Sequence, residues 1–241
     1  MIPIKIHTQP DDSTCGPTSL HAVYRYFNDP IPLNEVIREV PYLDEGGTLE
    51  VLLASHALKR GYRARIYTYN LHVFDPTWFK LENEEIIQKL EEQLLLKKHS
   101  NKFKRATNAY IEFLELGGEL RCTDLTKGLL RKYFEQGVPL LTGLSATYLY
   151  QSAREFTDKL GDSVYDDVQG FPMGHFVVLC GFAEDQKHIV VADPYKENPF
   201  FKNNYYEVNV SRLLNSIMLG MATYDANLLA IQPALSDSPQ D

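Results

Sequence analysis

Four residues of this 241-residue chain have types and surroundings suited to acyl chemistry: Gln9, Cys15, His175 and Asp193. A thiol attacks carbonyls as its thiolate, and the ordinary cysteine pKa of about 8.5 falls to roughly 3.5–7.5 at a helix N-terminus or beside an imidazolium. Cys15 follows the turn-rich stretch Gln9-Pro10-Asp11-Asp12-Ser13-Thr14. It precedes Leu20, Val23, Tyr24 and Phe27 at helical spacing, with Pro17 where a first turn tolerates it and Asn28-Asp29-Pro30 as the stop. Cys15 therefore enters a helix, whose positive dipole end and unpaired amide N–H groups favour a thiolate and then a tetrahedral oxyanion. Gln9, six positions upstream, is placed to bring a carboxamide N–H to the same side of the sulfur. Gly16 leaves room for a substrate backbone.

The base and its orienting group come from far along the chain. His175 opens the apolar run 175–182 and Asp193 closes the run 188–193. The short polar link Ala183-Glu-Asp-Gln-Lys makes a hairpin the simplest connection, which brings 175 and 193 to one open edge. That is the geometry a general base and its orienter need. Taken singly, each residue has a plainer reading: a small buried cysteine, a satisfied histidine, an Asp-Pro turn opener, a solvated glutamine. Their joint order favours catalysis. Cys122 and Cys180 read as structural. Gly143-Leu144-Ser145-Ala146 partly mimics a serine nucleophile elbow but lacks its last glycine and a fitting Asp and His order.

The elements that must position these residues change character along the chain. Ile2 to Ile6 alternates like a short strand, Leu33 to Val40 and Thr48 to Lys59 read as helices, and Gly61 precedes a strand-like run from Tyr62 to Tyr69. A charged, Leu- and Glu-rich stretch between Asp75 and Gly117 predicts a helical hairpin or cap. Asp124 is placed to cap a helix through Phe134, a buried strand follows from Val138, and 147–173 is polar and Tyr-rich. Tyr148, Tyr150, Phe156, Tyr165 and Phe171 either line a cleft beside His175 or pack as an ordinary loop; Asp166 and Asp167, if exposed there, favour a basic substrate. Ser211 to Leu219 reads as a helix and Leu228 to Gln232 as a last strand.

Composition narrows the class. With 44% hydrophobic residues the chain can bury an ordinary core, and no Pro-rich or Gly/Ser linker divides it. One domain over 1–235, with a helical insertion at about 75–117 and a disordered tail at 236–241, is expected. Lysine and arginine number 24 against 32 acidic residues, a net charge of −8 without basic clusters, so nucleic acid is not the expected partner. The three cysteines lie far apart without a Cys-x-x-Cys pair, and no apolar run is long enough to span a membrane. We expect a soluble cytoplasmic chain with free thiols and no membrane partner. The seven histidines form no His-x3-His pair, no phosphate loop appears, and thiol chemistry needs no cofactor, so neither metal nor cofactor is expected.

Three segments together carry a resemblance: Gln9-x5-Cys15-Gly16-Pro17-x-Ser19-Leu20, Gly174-His175-Phe176-Val177-Val178, and Val191-Ala192-Asp193-Pro194. They resemble the papain-like cysteine peptidases, specifically the bacteriocin-processing, double-glycine leader peptidase family and its stand-alone bacterial relatives. Glu45-Gly46-Gly47-Thr48, with a helix and Gly61-Tyr62 after it, extends the likeness over about 1–70 and 138–195. The resemblance implies an α+β papain-like fold, an N-terminal helical half facing a C-terminal antiparallel sheet across a cleft. It also implies a Cys15, His175 and Asp193 triad, Gln9 as oxyanion donor, Gly16 and Gly174 against the substrate, and a peptide or peptide-like substrate. Two features depart from it: Thr14 stands where relatives often carry an acid, and 75–117 exceeds their length. Hydrolysis, acyl transfer of the phytochelatin-synthase or transglutaminase type, and a catalytically silent peptide-binding module all stay open, as does the oligomeric state.

Overall fold

The computed structural model describes residues 1–43, 46–97, 100–158 and 163–234. The expected tail at 236–241, Glu45 and His99 lie outside the described residues. The chain is α+β. Helices α1 (Cys15–Tyr26), α2 (Leu33–Glu39) and α3 (Glu50–Lys59) come first, then strand β1 (Tyr62–Thr68), the hairpin α4 (Asn83–Leu96) and α5 (Asn101–Glu115), and β2 (Glu119–Arg121). The second half runs α6 (Lys127–Glu135), β3 (Leu140–Ser145), α7 (Ala146–Tyr150), β4 (Glu155–Thr157), β5 (Ser163–Tyr165), β6 (Gly174–Phe182), β7 (His188–Ala192), β8 (Tyr205–Asn209), α8 (Val210–Leu219) and β9 (Asn227–Pro233).

Among the described residues, seven strands form one sheet in the order β2-β1-β9-β3-β6-β7-β8, while β4 and β5 make a separate ribbon. The sheet is antiparallel except where β1 and β2 run parallel, and it draws β1 from the helical half of the sequence. Helices cover both faces of it. The reason is legible in β6, whose continuous run leaves no polar face: Phe176, Val178 and Cys180 join the core containing α1, α3 and the α4–α5 hairpin, while Val177 and Leu179 join the core containing α6, α7 and α8. No helix among the described residues is long and apolar enough to cross a membrane.

Two local expectations are corrected. Residues 2–6 are not a strand: Ile2 and Ile4 are buried in alternation, but Pro3 has no N–H to donate, and the contact with the sheet comes from Ile2 N–H to the Cys180 carbonyl at 2.7 Å. Thr126, not Asp124, caps α6, its hydroxyl accepting from Leu129 N–H at 3.2 Å.

Candidate active site

The thiol end is built from a loop with little freedom. The Asp11 carbonyl accepts from Gln9 Nε2 at 2.9 Å and from the Thr14 hydroxyl at 3.0 Å, and Asp11 Oδ1 accepts from Ser13 N–H at 2.9 Å. The helix then starts at Cys15 itself. Pro17 has no N–H, so the first-turn donors without a helical partner are the amides of Cys15 and Gly16. No acidic side chain lies in that turn to offset the positive end of the dipole. The Gln9 carboxamide spends one hydrogen on Asp11 and keeps the other.

Three bonds tie this end to the far half of the chain. Buried Ser19 Oγ, one turn into α1, donates to the Phe176 carbonyl of β6 at 3.1 Å. Gln9 N–H donates to the Pro194 carbonyl at 2.9 Å, directly after Asp193. Asn204 couples the two sides, its Nδ2 donating to the Asp193 carbonyl at 2.6 Å while its Oδ1 accepts from the Thr8 hydroxyl at 3.3 Å. The helix entrance is thereby fixed over the ends of β6 and β7.

There the hairpin of β6 and β7 brings His175 Nε2 within 2.8 Å of Asp193 Oδ1. Asp193 is fully buried and accepts from four donors: His175, Tyr195 N–H at 2.8 Å, and the hydroxyls of Tyr150 at 2.7 Å and Tyr206 at 2.6 Å. A buried carboxylate needs such a complement. Burial and the charge of Asp193 push the Tyr150 and Tyr206 pKa values far up, so both phenols keep their protons and donate. With Nε2 engaged, Nδ1 is the nitrogen left for the Cys15 thiol. Burial pulls the His175 pKa down, but the charge and hydrogen bond of Asp193, joined by the hydrogen bond and charge of Cys15, outweigh it and push the value up to about 10.

A raised histidine pKa has a consequence for stability. The contribution is complete below the ordinary value of 6.5 and is lost as pH rises through about 10. The thermal midpoint of the wild type therefore falls more steeply across that interval than that of His175→Gln; equal slopes in calorimetry would refute the assignment.

Cavities of about 300 and 450 Å³ flank the pair. The smaller is lined by Gln9, Tyr150, Glu155, Tyr165, His175 and Tyr195; the larger contains Cys15, Gly47, Thr48, Lys102, Met173 and Asp225. The β4–β5 ribbon borders both through Ser163. Of the aromatics in 147–173, Tyr150 and Tyr165 thus reach the cleft, whereas Phe171 is 72% exposed.

Of the two glycines expected against the substrate, Gly174 lines both cavities and Gly16 is buried. A Cβ on Gly16 would lie 2.6 Å from Thr48 Cγ2, and one on Gly174 would lie 2.2 Å from Asp225 Oδ2, so both positions admit neighbouring side chains of the fold. Asp166 turns its carboxylate onto Val168 N–H and Gln169 N–H of its own loop, both at 2.7 Å. Among the described residues, the acids that line the cleft are Asp12, Glu155 and Asp225. The sequence reading missed Tyr206, although Tyr206, Val208 and Val210 alternate with polar neighbours as a strand does. It also missed Asp225, for which no local pattern exists.

No protein-family model matches the chain, and no curated protein matches it. Among solved structures it is similar to a C39-like peptidase from Bacillus anthracis at 13% identity and a TM-score of 0.49, aligned over 97% of this chain and 96% of that one. A double-glycine motif protease from an AMS/PCAT transporter, in complex with the leader peptide, aligns over 97% of this chain and 94% of that one at 15% identity and a TM-score of 0.42. Xylellain, a cysteine protease from Xylella fastidiosa, aligns over 97% of this chain and 84% of that one at 12% identity and a TM-score of 0.42. The chain is an α+β protein, and the three solved structures named here, to which it is similar at 12–15% identity, are described as peptidases or proteases.

Proposed function

We propose that the chain is a cysteine peptidase or amidohydrolase with Cys15 as nucleophile, His175 as general acid and base, Asp193 as the orienter of His175, and Gln9 as an oxyanion donor. What supports this reading above all is the continuous buried path from Asp193 through His175 to the thiol at a helix entrance. Asp193 favours imidazolium, imidazolium favours thiolate, and the helix end adds a positive field at the sulfur.

The thiolate adds to a peptide or amide carbonyl, and the developing oxyanion meets the Cys15 and Gly16 amides and the free carboxamide hydrogen of Gln9. His175 gives its proton to the leaving amine as the C–N bond breaks, which leaves a thioester. His175 then takes a proton from water, the resulting hydroxide cleaves the thioester, and the carboxylic acid leaves as the thiol is restored. Three unpaired thiols suit a reducing, cytoplasmic setting.

The test is incubation of the purified chain with a mixed peptide library, with products read by mass spectrometry. We expect new N- and C-termini with the wild type and none with Cys15→Ala. Products that persist in Cys15→Ala would refute the assignment.

A further inference from the structure

The larger cavity beside the thiol ends on a carboxylate that the chemistry above does not use. Asp225 lies between α8 and β9, is 6% exposed, and lines the same cavity as Cys15. Its Oδ1 has no hydrogen-bond partner among the described residues. Two strands give up side chains to admit it. A Cβ on Gly174 of β6 would lie 2.2 Å from Asp225 Oδ2, and one on Gly143 of β3 would lie 2.8 Å from the Asp225 Cβ.

Burying a carboxylate with an unpartnered oxygen is costly, and the surroundings add to that cost. Glu50, 1% exposed on α3, accepts from Gly143 N–H at 3.3 Å, leaves Oε2 unpartnered, and repels Asp225. Burial pushes the Asp225 carboxyl up to about 7, against the opposing pull of Thr223, Lys102 and His175. Lys102 of α5 lines the cavity too, but its ammonium sits over the Tyr224 ring, 5.4 Å from the centroid. Asp12 borders both cavities and Glu155 the smaller one, so carboxylates stand on both flanks of the thiol.

A cation that entered this cavity would give Asp225 Oδ1 the partner it lacks, and relief of an existing desolvation cost would become affinity. We propose that Asp225 is the specificity-determining residue of the cavity and takes a guanidinium or ammonium side chain of the substrate beside the bond that Cys15 attacks. The inference rests on the assignment of Cys15 as nucleophile, and it specifies the substrate class. Lys102, a cation on the same wall, opposes such a ligand.

The test is protection of Cys15 from iodoacetamide, read at that cysteine by mass spectrometry near pH 8.5, where any thiol reacts whether or not it is paired with His175. Butylguanidinium and the neutral butylurea, close in shape, are the probes. We expect butylguanidinium to protect the wild type about tenfold more effectively than butylurea, as a charge-assisted contact does over a neutral one. That preference disappears in Asp225→Asn and grows in Lys102→Gln, a change on a half-buried helix position that keeps the fold intact even if Asp225→Asn does not. Equal protection by the two probes in the wild type, or a preference that Lys102→Gln diminishes, would overturn the proposal. An inactive triad would instead appear as slow labelling near pH 6, which this measurement does not involve.

Discussion

Under the proposed assignment, Asp193→Asn is expected to lower turnover by about 10⁴-fold, the scale seen when the orienting acid of a triad loses its charge but not its shape. The argument is one of hydrogen-bond supply. All four groups aimed at this carboxylate are donors: His175 Nε2, Tyr195 N–H and the Tyr150 and Tyr206 hydroxyls. An asparagine must turn its NH₂ toward one pair of them. If the amide faces the tyrosines, their hydroxyls can rotate, but His175 loses the charge that holds its proton; if it faces His175, donor meets donor. Loss of one member of a buried pair costs about 3–5 kcal/mol, so unfolding in urea shifts to lower denaturant as well. The kinetic loss exceeds that expected from the folded fraction alone. Full activity in Asp193→Asn would refute the orienting role.

His175→Ala is expected to cost still more in turnover, about 10⁴- to 10⁶-fold, because base and acid are lost together. Its stability loss is tempered, since Asp193 keeps three of its four donors. The variant should fold, bind peptide and fail to cleave it. Residual cleavage within tenfold of the wild type, in a steady-state assay, would place the base elsewhere.

How much of this was legible in the residues depends on the distance over which a signal acts. The helix at Cys15, the hairpin of β6 and β7 and the α4–α5 hairpin follow from local periodicity and punctuation, and they appear at or near the expected positions. The meeting of His175 and Asp193 follows from hairpin closure alone. Helices on both faces of the sheet follow from the unbroken apolar run of β6, which the expectation of two facing halves did not use. Asp225, the Tyr206 hydroxyl and the packing against Gly16 and Gly174 depend on segments brought together from far apart, and no spacing rule reaches them. Pro3 and Thr126 are smaller lessons of another kind: one missing N–H cancelled a strand, and a nearer hydroxyl took a cap.

The rate of Cys15 alkylation against pH, read residue by residue, tests the union of thiol and imidazole most directly. Cys180 is an internal contrast, since burial pushes its pKa up to about 12, and burial raises that of Cys122 as well. The account predicts that Cys15 in the wild type reacts near pH 6 well above the rate of an ordinary thiol, and that His175→Ala removes this excess. A wild-type profile that follows ordinary thiol titration near pH 8.5, unchanged by His175→Ala, would contradict it.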